Sequence, residues 1–330
     1  MTITARLAPL FLLLAAAPVR EQAPESAFFE ALRAADLRLA TIAYRLTTAN
    51  VALCDQIQLQ VGMPIHALTQ YGPAARPAAT AAFGFATTIG VEAVVPGGPA
   101  ARAGVRANDS IAAINGAQQP GLPQTGASEN ATSRDSAEAA IAGAPATRPL
   151  RLDVLRVGQR LSIVVQPVAG CRSRFEILLG AGLDASADGS VVQIGERFFE
   201  GYTDAEIAVV VSHELAHNIL RHRARLDAAK INRGLLAELG RNGRLIRETE
   251  NDADRLGIYL LANAGYDPMS APTFWREKGG TIDGGLFRSR THASSKARAD
   301  VLEGLAREIE ASRVRPIIPS VVATRTVPLR

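Results

Sequence analysis

The sequence predicts an α+β chain in two parts: a mainly helical domain with a small β-hairpin, and a compact β-rich module inserted into it. Three observations predict this. Apolar residues step by four and three through Phe28, Leu32, Ala35, Leu39, Ile42, Leu46, Ala49 and Leu53, which is the seam of a long amphipathic helix. From Ala81 the texture changes to short alternating strands, small residues and an Asn-Gly turn. Beyond residue 200, Thr203-Asp204-Ala205-Glu206 forms a capping box ahead of the apolar run from Ile207 to Leu220.

Taken in order, Met1 to Ala17 carries one positive charge at Arg6, an apolar run and the small residues Ala15-Ala16-Ala17, and reads as a signal peptide cut at or a few residues beyond Ala17. Pro18-Val19-Arg20-Glu21 ends the run short of the roughly 20 apolar residues a membrane anchor needs. No cysteine follows for lipid attachment. The expected chain is therefore exported, periplasmic or secreted, with no transmembrane segment once mature. A net charge of +4, spread over helices that also carry acids, is too small and too dispersed for a nucleic-acid partner.

Residues 25–80 are expected to supply the long helix, laid across its own domain rather than paired in a coiled coil, and then a mixed connection from Gln56 to Pro77. Residues 81–167 are expected to form the module. Its strands are sought around Val91–Val95, Asn108–Ile114, Leu150–Val157 and Arg160–Val168, with a helix over Ser133–Ala142 and a flexible loop over Gln118–Thr132. The run from Phe83-Gly84-Phe85 through Pro96-Gly97-Gly98-Pro99-Ala100-Ala101-Arg102-Ala103-Gly104 to Asn115-Gly116 resembles a bacterial PDZ domain. That resemblance implies a groove for a C-terminal peptide, with Phe83, Gly84 and Phe85 offering backbone N–H groups to its carboxylate.

Residues 168–312 are expected to complete the helical domain. Arg174–Leu183 and Ser190–Gly195 read as strands joined across Asp188-Gly189, with Val191-Val192-Gln193-Ile194 either an edge for an extended substrate or equally a fully paired inner strand. Then comes His213-Glu214-Leu215-Ala216-His217. On a helix, positions i and i+4 lie one above the other, so both imidazoles can face a single tetrahedral ion. Glu214 sits between them as a carboxylate placed to take a proton from water that the ion has acidified. A third ligand is sought in Glu248–Arg255. Glu250, Ala253, Asp254, Gly257 and Leu261 share one helical stripe, with two small residues that let another helix approach. This selects Glu250 as ligand over Glu248, and Asp254 as the acceptor that orients a ligating histidine.

His213-Glu214-x-x-His217 followed by Glu250-x-x-x-Asp254 resembles the HtpX-like and CaaX-prenyl-protease family of zinc metallopeptidases. Gly265-Tyr266-Asp267-Pro268 looks like that family's turn after the third-ligand helix. Thr291-His292 with Arg298 looks like its S-T-H-P-x-x-x-x-R segment, with Ala293 in place of the proline. The resemblance implies a gluzincin-type zincin fold, one zinc ion per chain, protein or peptide substrates, and roles for His292 and Arg298 beside Glu214 and Asp254. A metzincin would need glycine at 220 and histidine at 223, where this chain has Leu220 and Arg223. A chaperone or adaptor built on the PDZ module, with a non-catalytic zinc fold, is the alternative, and Glu214 argues against it because a structural site has no use for a general base. Residues 313–330, with Pro316, Pro319 and Pro328, read as an extended tail, mobile or strapped over a partner surface. Cys54 and Cys171, the only cysteines, flank the module and are expected to pair in an oxidising compartment.

Overall fold

The computed structural model describes residues 25–145, 148–231, 240–282 and 294–329. The signal-peptide segment and Thr291-His292-Ala293 lie outside the described residues. The chain opens with α1 (Glu25–Ala49), then β1 (Ile57–Gln60), β2 (Ile65–Ala67), α2 (Arg76–Phe83), β3 (Ile89–Val91), α3 (Pro99–Arg102), β4 (Ser110–Ile114) and β5 (Ala117–Gln118). It continues with α4 (Thr132–Ala142), β6 (Leu150–Arg156), β7 (Gln159–Val165), β8 (Val168–Cys171), β9 (Arg174–Leu178), β10 (Ala185–Ala187) and β11 (Val191–Gly195). Helices α5 (Arg197–Gly201), α6 (Asp204–Ile219), α7 (His222–Ala228), α8 (Gly240–Asn263), α9 (Ser270–Ile282) and α10 (Ser295–Ala311) follow. The class is α+β.

The seam of α1 packs where its spacing directs it, with Leu39, Ile42 and Leu46 buried in one core with α6 and α8, joined by Leu53 of the 3-10 turn Val51–Leu53 that follows the helix. At its first turns the pattern differs. Phe28 is 52% exposed, and its neighbour Phe29 is buried against the module instead. The helix thus rotates its apolar face from one part of the molecule to the other. Arg38 ties it down by donating to Asp204 Oδ1, Phe199 O and Tyr202 O at 2.7 Å each, just where α6 begins.

The module starts earlier than residue 81. Its sheet runs β2-β3-β4-β6-β7, with β5 on β4, so Ile65–Ala67 is its edge strand and the stretch from Gln56 to Pro77 is not a mere connection. The register His66↔Gly90 shows why the sequence was ambiguous: β2 has only three residues, too few for a period to declare itself. Antiparallel β1 and β8 form the two-stranded stem through which the chain enters and leaves, Ile57 opposite Cys171. At its base Cys54 and Cys171 are joined in a disulfide with Cα atoms 5.5 Å apart.

In the helical domain, the three-stranded sheet has the order β10-β11-β9. The turn at Asp188-Gly189 joins β10 to β11, whereas β9 pairs with β11 in parallel. The central strand is therefore Val191–Gly195, which has both edges filled, and the edge beside α6 belongs to Ala185-Ser186-Ala187. Of the two readings of Val191-Val192-Gln193-Ile194, the paired inner strand is the one the fold adopts, and the substrate-edge reading is corrected. Residues 313–329 are neither free nor purely extended: Ser320–Thr326 form a 3-10 helix with Val322 buried in the core. Ile317 exchanges two hydrogen bonds with Asn263, and Arg325 donates to Leu53 O at 2.7 Å, so this segment straps its own domain. No helix among the described residues is long and apolar enough to cross a membrane.

Candidate metal centre

Helix α6 begins as its capping box dictates. The Thr203 hydroxyl accepts from Glu206 N, and the Glu206 carboxylate accepts from Thr203 N at 2.8 Å. Every residue from Ile207 to Ala216 is buried, so the helix is a core element that carries its polar groups inward. Gly257 of α8 lets it be approached closely. A Cβ at 257 would meet His213 Cα and N at 3.4 Å.

This contact brings α8's acidic stripe onto α6. His213 Nε2 lies 3.2 Å from both His217 Nε2 and Glu250 Oε2, and His217 Nε2 lies 3.4 Å from Glu250 Oε2. Ligand atoms of the three residues all fall within 4.8 Å of one another. Glu248 points elsewhere, accepting from Arg244 at 3.0 Å. Asp254, one turn after Glu250, accepts from His213 Nδ1 at 2.9 Å. Arg298 of α10 donates to both Asp254 oxygens, with Nε at 2.7 Å, while its guanidinium carbon lies 3.3 Å over the Trp275 ring. His292 lies outside the described residues.

The electrostatics suit a cation. Burial pulls the His213 imidazole down, yet hydrogen bonds to Asp254 and Glu250 overcome it and push its pKa up to about 10. Burial raises Glu250, but the two histidines outweigh it and hold its carboxyl well below the usual range. Burial likewise raises Asp254, and Arg298 with His213 reverses that. A buried pocket that draws a proton onto an imidazole favours positive charge. Two imidazole nitrogens and one carboxylate oxygen form the donor set of a catalytic zinc site, which leaves a fourth position for water. Glu214, 5% exposed, differs from Glu250: burial raises its pKa, with the histidines only partly opposing.

One residue of this cluster was not singled out in the sequence. His222 opens α7 and places Nδ1 3.0 Å from His217 Nδ1. Burial and the neighbouring His217 push its pKa down to about 2. The cleft at the cluster, about 240 Å³, is walled by Ala185, Ser186 and Ala187 of β10 on one side and by Arg223 and Leu226 of α7 on the other. Among the described residues, the outer strand of the three-stranded sheet therefore borders it.

Phe83-Gly84-Phe85 does not form a peptide loop. Phe83 ends α2, Gly84 is that helix's left-handed cap at φ 64°, and both phenylalanines are at most 4% exposed. They belong to an aromatic cluster, Phe83 with Phe29 at 5.5 Å and Phe85 with His66 at 4.5 Å between ring centroids. Burial and the Arg33 charge push the His66 pKa down to about 3. A cavity of about 590 Å³ is lined by β1, by Val61-Gly62-Met63-Pro64 and Ile65 at the start of β2, and by α4. Leu39, Ala43 and Tyr44 of α1, and Phe175 of β9, close its far wall, so this groove is roofed by the helical domain. Its α4 wall is pinned to β9. Arg174 reaches Asp135 and Glu138 at 3.0 Å and Arg134 reaches Glu176 at 2.8 Å.

The family model for the PDZ domain matches residues 90–118. The mitochondrial metalloendopeptidase OMA1 of Schizosaccharomyces pombe is 28% identical over 196 residues, 51% of this chain and 57% of that protein. The mitochondrial metalloendopeptidase OMA1 of Arabidopsis thaliana is 33% identical over 122 residues, 30% of this chain and 24% of that protein. The chain thus spans about a quarter to somewhat over half the length of these curated relatives. Among solved structures, the HtrA3 PDZ domain bound to a phage-derived ligand (FGRWV) is 21% identical, covering 34% of this chain and 89% of that one, at a TM-score of 0.26. An HtrA-type protease AlgW with decapeptide is 23% identical, covering 34% of this chain and 30% of that one, at a TM-score of 0.25.

Proposed function

We propose that the chain is an exported zinc metalloendopeptidase of gluzincin type, HtpX-like in its motifs, whose PDZ module recruits protein substrates or gates the cleft. The observation that carries this reading is the convergence of His213, His217 and Glu250, with ligand atoms within 4.8 Å of one another, on a cleft that Glu214 also lines. Zinc bound there acidifies water and polarises a scissile carbonyl. The protein's own groups do the rest. Glu214, whose buried carboxyl has an increased affinity for a proton, takes one from the attacking water and returns it to the leaving amine nitrogen. Asp254 and Arg298 hold the His213 ring in orientation. An extended substrate pairs with the β10 edge, which delivers its backbone across the cleft.

In the module, a C-terminal peptide would add as a strand to the β2 edge beside α4, with its carboxylate at Val61-Gly62-Met63. The Cys54–Cys171 bond supports residence in an oxidising compartment, and so export. The test is elemental analysis combined with casein hydrolysis. Wild type is expected to carry one zinc and cleave, Glu214→Gln to carry zinc with activity lower by about 10²–10⁴, and Glu250→Ala to lose the metal while Glu248→Ala keeps it. A Glu214→Gln variant as active as wild type would refute Glu214 as the base, and a zinc-loaded wild type that cleaves nothing would favour a binding protein.

A further inference from the structure

Resting on the metal reading above, we propose that His222 is a positioning residue that presents His217 Nε2 to the metal by accepting a hydrogen bond from its Nδ1–H. The two Nδ1 atoms are 3.0 Å apart and the rings meet edge to face, 81° between planes. Only one of two imidazoles so placed can supply the proton. If His217 is to offer the Nε2 lone pair to an ion, its proton must sit on Nδ1, and His222 Nδ1 must then be the bare acceptor. The opposite arrangement, with His222 donating, leaves the proton on His217 Nε2 and blocks ligation. His222 therefore selects the tautomer of a ligand.

The chain is bent so that this can happen. A residue five positions after His217 would lie off its face on a continuous helix. Instead α6 stops at Ile219, Arg221 takes a left-handed conformation at φ 54°, and α7 restarts at His222 with the imidazole turned back onto His217. A salt bridge of 2.6 Å from Arg221 to Asp55, next to the disulfide, anchors the bend. His222 is 1% exposed, and its Nε2 is buried with no hydrogen-bond partner among the described residues. A purely structural role is poorly served by a buried imidazole with one nitrogen unsatisfied, where an apolar side chain would avoid that penalty. The two ligands are thus oriented by unlike partners: a carboxylate locked by Arg298 behind His213, a neutral ring behind His217.

The test measures zinc affinity by competition with a chromophoric chelator, on metal-free protein whose fold is checked by circular dichroism. His222→Leu removes the acceptor and is expected to weaken zinc binding about 10–100-fold, the usual effect of losing such a partner. His222→Asn places an amide oxygen near the Nδ1 position and is expected to restore most of the affinity. His222→Gln, whose amide reaches the Nε2 position instead, is expected to remain weak. The Asn and Gln pair decides the matter if the Leu variant does not fold. In wild type, imidazole nitrogen NMR of the zinc form should show the proton on His217 Nδ1 and on His222 Nε2. Equal zinc affinity in wild type, Asn and Gln variants, or the reverse tautomers, would overturn the proposal while leaving the metal site standing. A wild type that binds no zinc would overturn the metal reading, and this proposal with it.

Discussion

Replacing Gly257 tests whether the α6–α8 contact sets the metal centre. A Cβ there would lie 3.4 Å from His213 Cα and N and 3.5 Å from Ser212 C, ordinary contact distances, so alanine fits. It should even favour the helix by about 1 kcal/mol. Leucine is different, because its next carbon reaches about 1.5 Å further, into space held by the α6 backbone. That backbone cannot yield like a side chain, so the helices must part. Overpacking of this kind costs about 1–3 kcal/mol, and after subtraction of just under 1 kcal/mol for better helix propensity the net loss is about 0–2 kcal/mol. Stability alone is a blunt readout. The metal is a sharper one, since ligand distances tolerate only about 0.2 Å of error and the third ligand, Glu250, rides on the displaced helix. Zinc affinity measured by chelator competition should be within about threefold of wild type in Gly257→Ala and at least tenfold weaker, about 1.4 kcal/mol, in Gly257→Leu. A folded leucine variant with wild-type affinity would refute the argument that this glycine brings Glu250 onto His213 and His217.

Two further outcomes are expected. Ala139 is exposed on α4 and lines the groove, so Ala139→Trp should weaken binding of labelled C-terminal peptides at least tenfold, about 1.4 kcal/mol, yet leave cleavage of a short quenched peptide unchanged. Unaltered peptide binding would place the ligand elsewhere. Half-buried Asp36 of α1 and buried Glu92 after β3 form a carboxyl pair, faced by Arg33 and Arg134, with His66 and Tyr71 beside Glu92. Burial pushes Asp36 up to about 6 and, with Asp36 adjoining, raises Glu92 well above the usual range. A raised carboxyl contributes stability that is present when it is protonated and lost as pH rises through the folded pKa. Metal-free wild type should therefore lose stability relative to Asp36→Asn between about pH 4 and 6, by an amount on the order of 2 kcal/mol. Denaturant midpoints that keep a constant difference across that window would count against it.

What was legible in the sequence follows from which interactions are local. The capping box at Thr203 and Glu206, the i, i+4 pair of histidines and the stripe separating Glu250 from Glu248 all act within one or two turns of helix, and the fold keeps each relation. Strand partnership is not local. The Asp188-Gly189 turn marks a hairpin, but nothing in residues 174–195 says that β9 will lie parallel to β11 or that β10 takes the edge. The groove shows the same limit in another form. Apolar-Gly-apolar triplets recur through the module, Val61-Gly62-Met63, Phe83-Gly84-Phe85 and Ile89-Gly90-Val91 among them, and local pattern alone does not choose between them. The choice is made by tertiary packing. Phe83 and Phe85 are wanted in an aromatic cluster with Phe29, His66 and Tyr71, while Gly62 precedes an edge strand that faces α4.

His222 marks the limit for the site. Its relation to His217 spans five residues, a spacing with no meaning on a straight helix. The signal that could have exposed it is indirect: three of five histidines fall within ten residues, more than the two the ion requires from this helix. Reading the third imidazole as a partner needs the left-handed turn at Arg221. That turn is held by Asp55, 166 positions earlier in the chain, and by the fold that brings α1's end beside α6's. The ligands are thus written in helical periodicity, whereas the group that decides which nitrogen of His217 is bare is written in a break of that periodicity, visible only once the chain has folded back on itself.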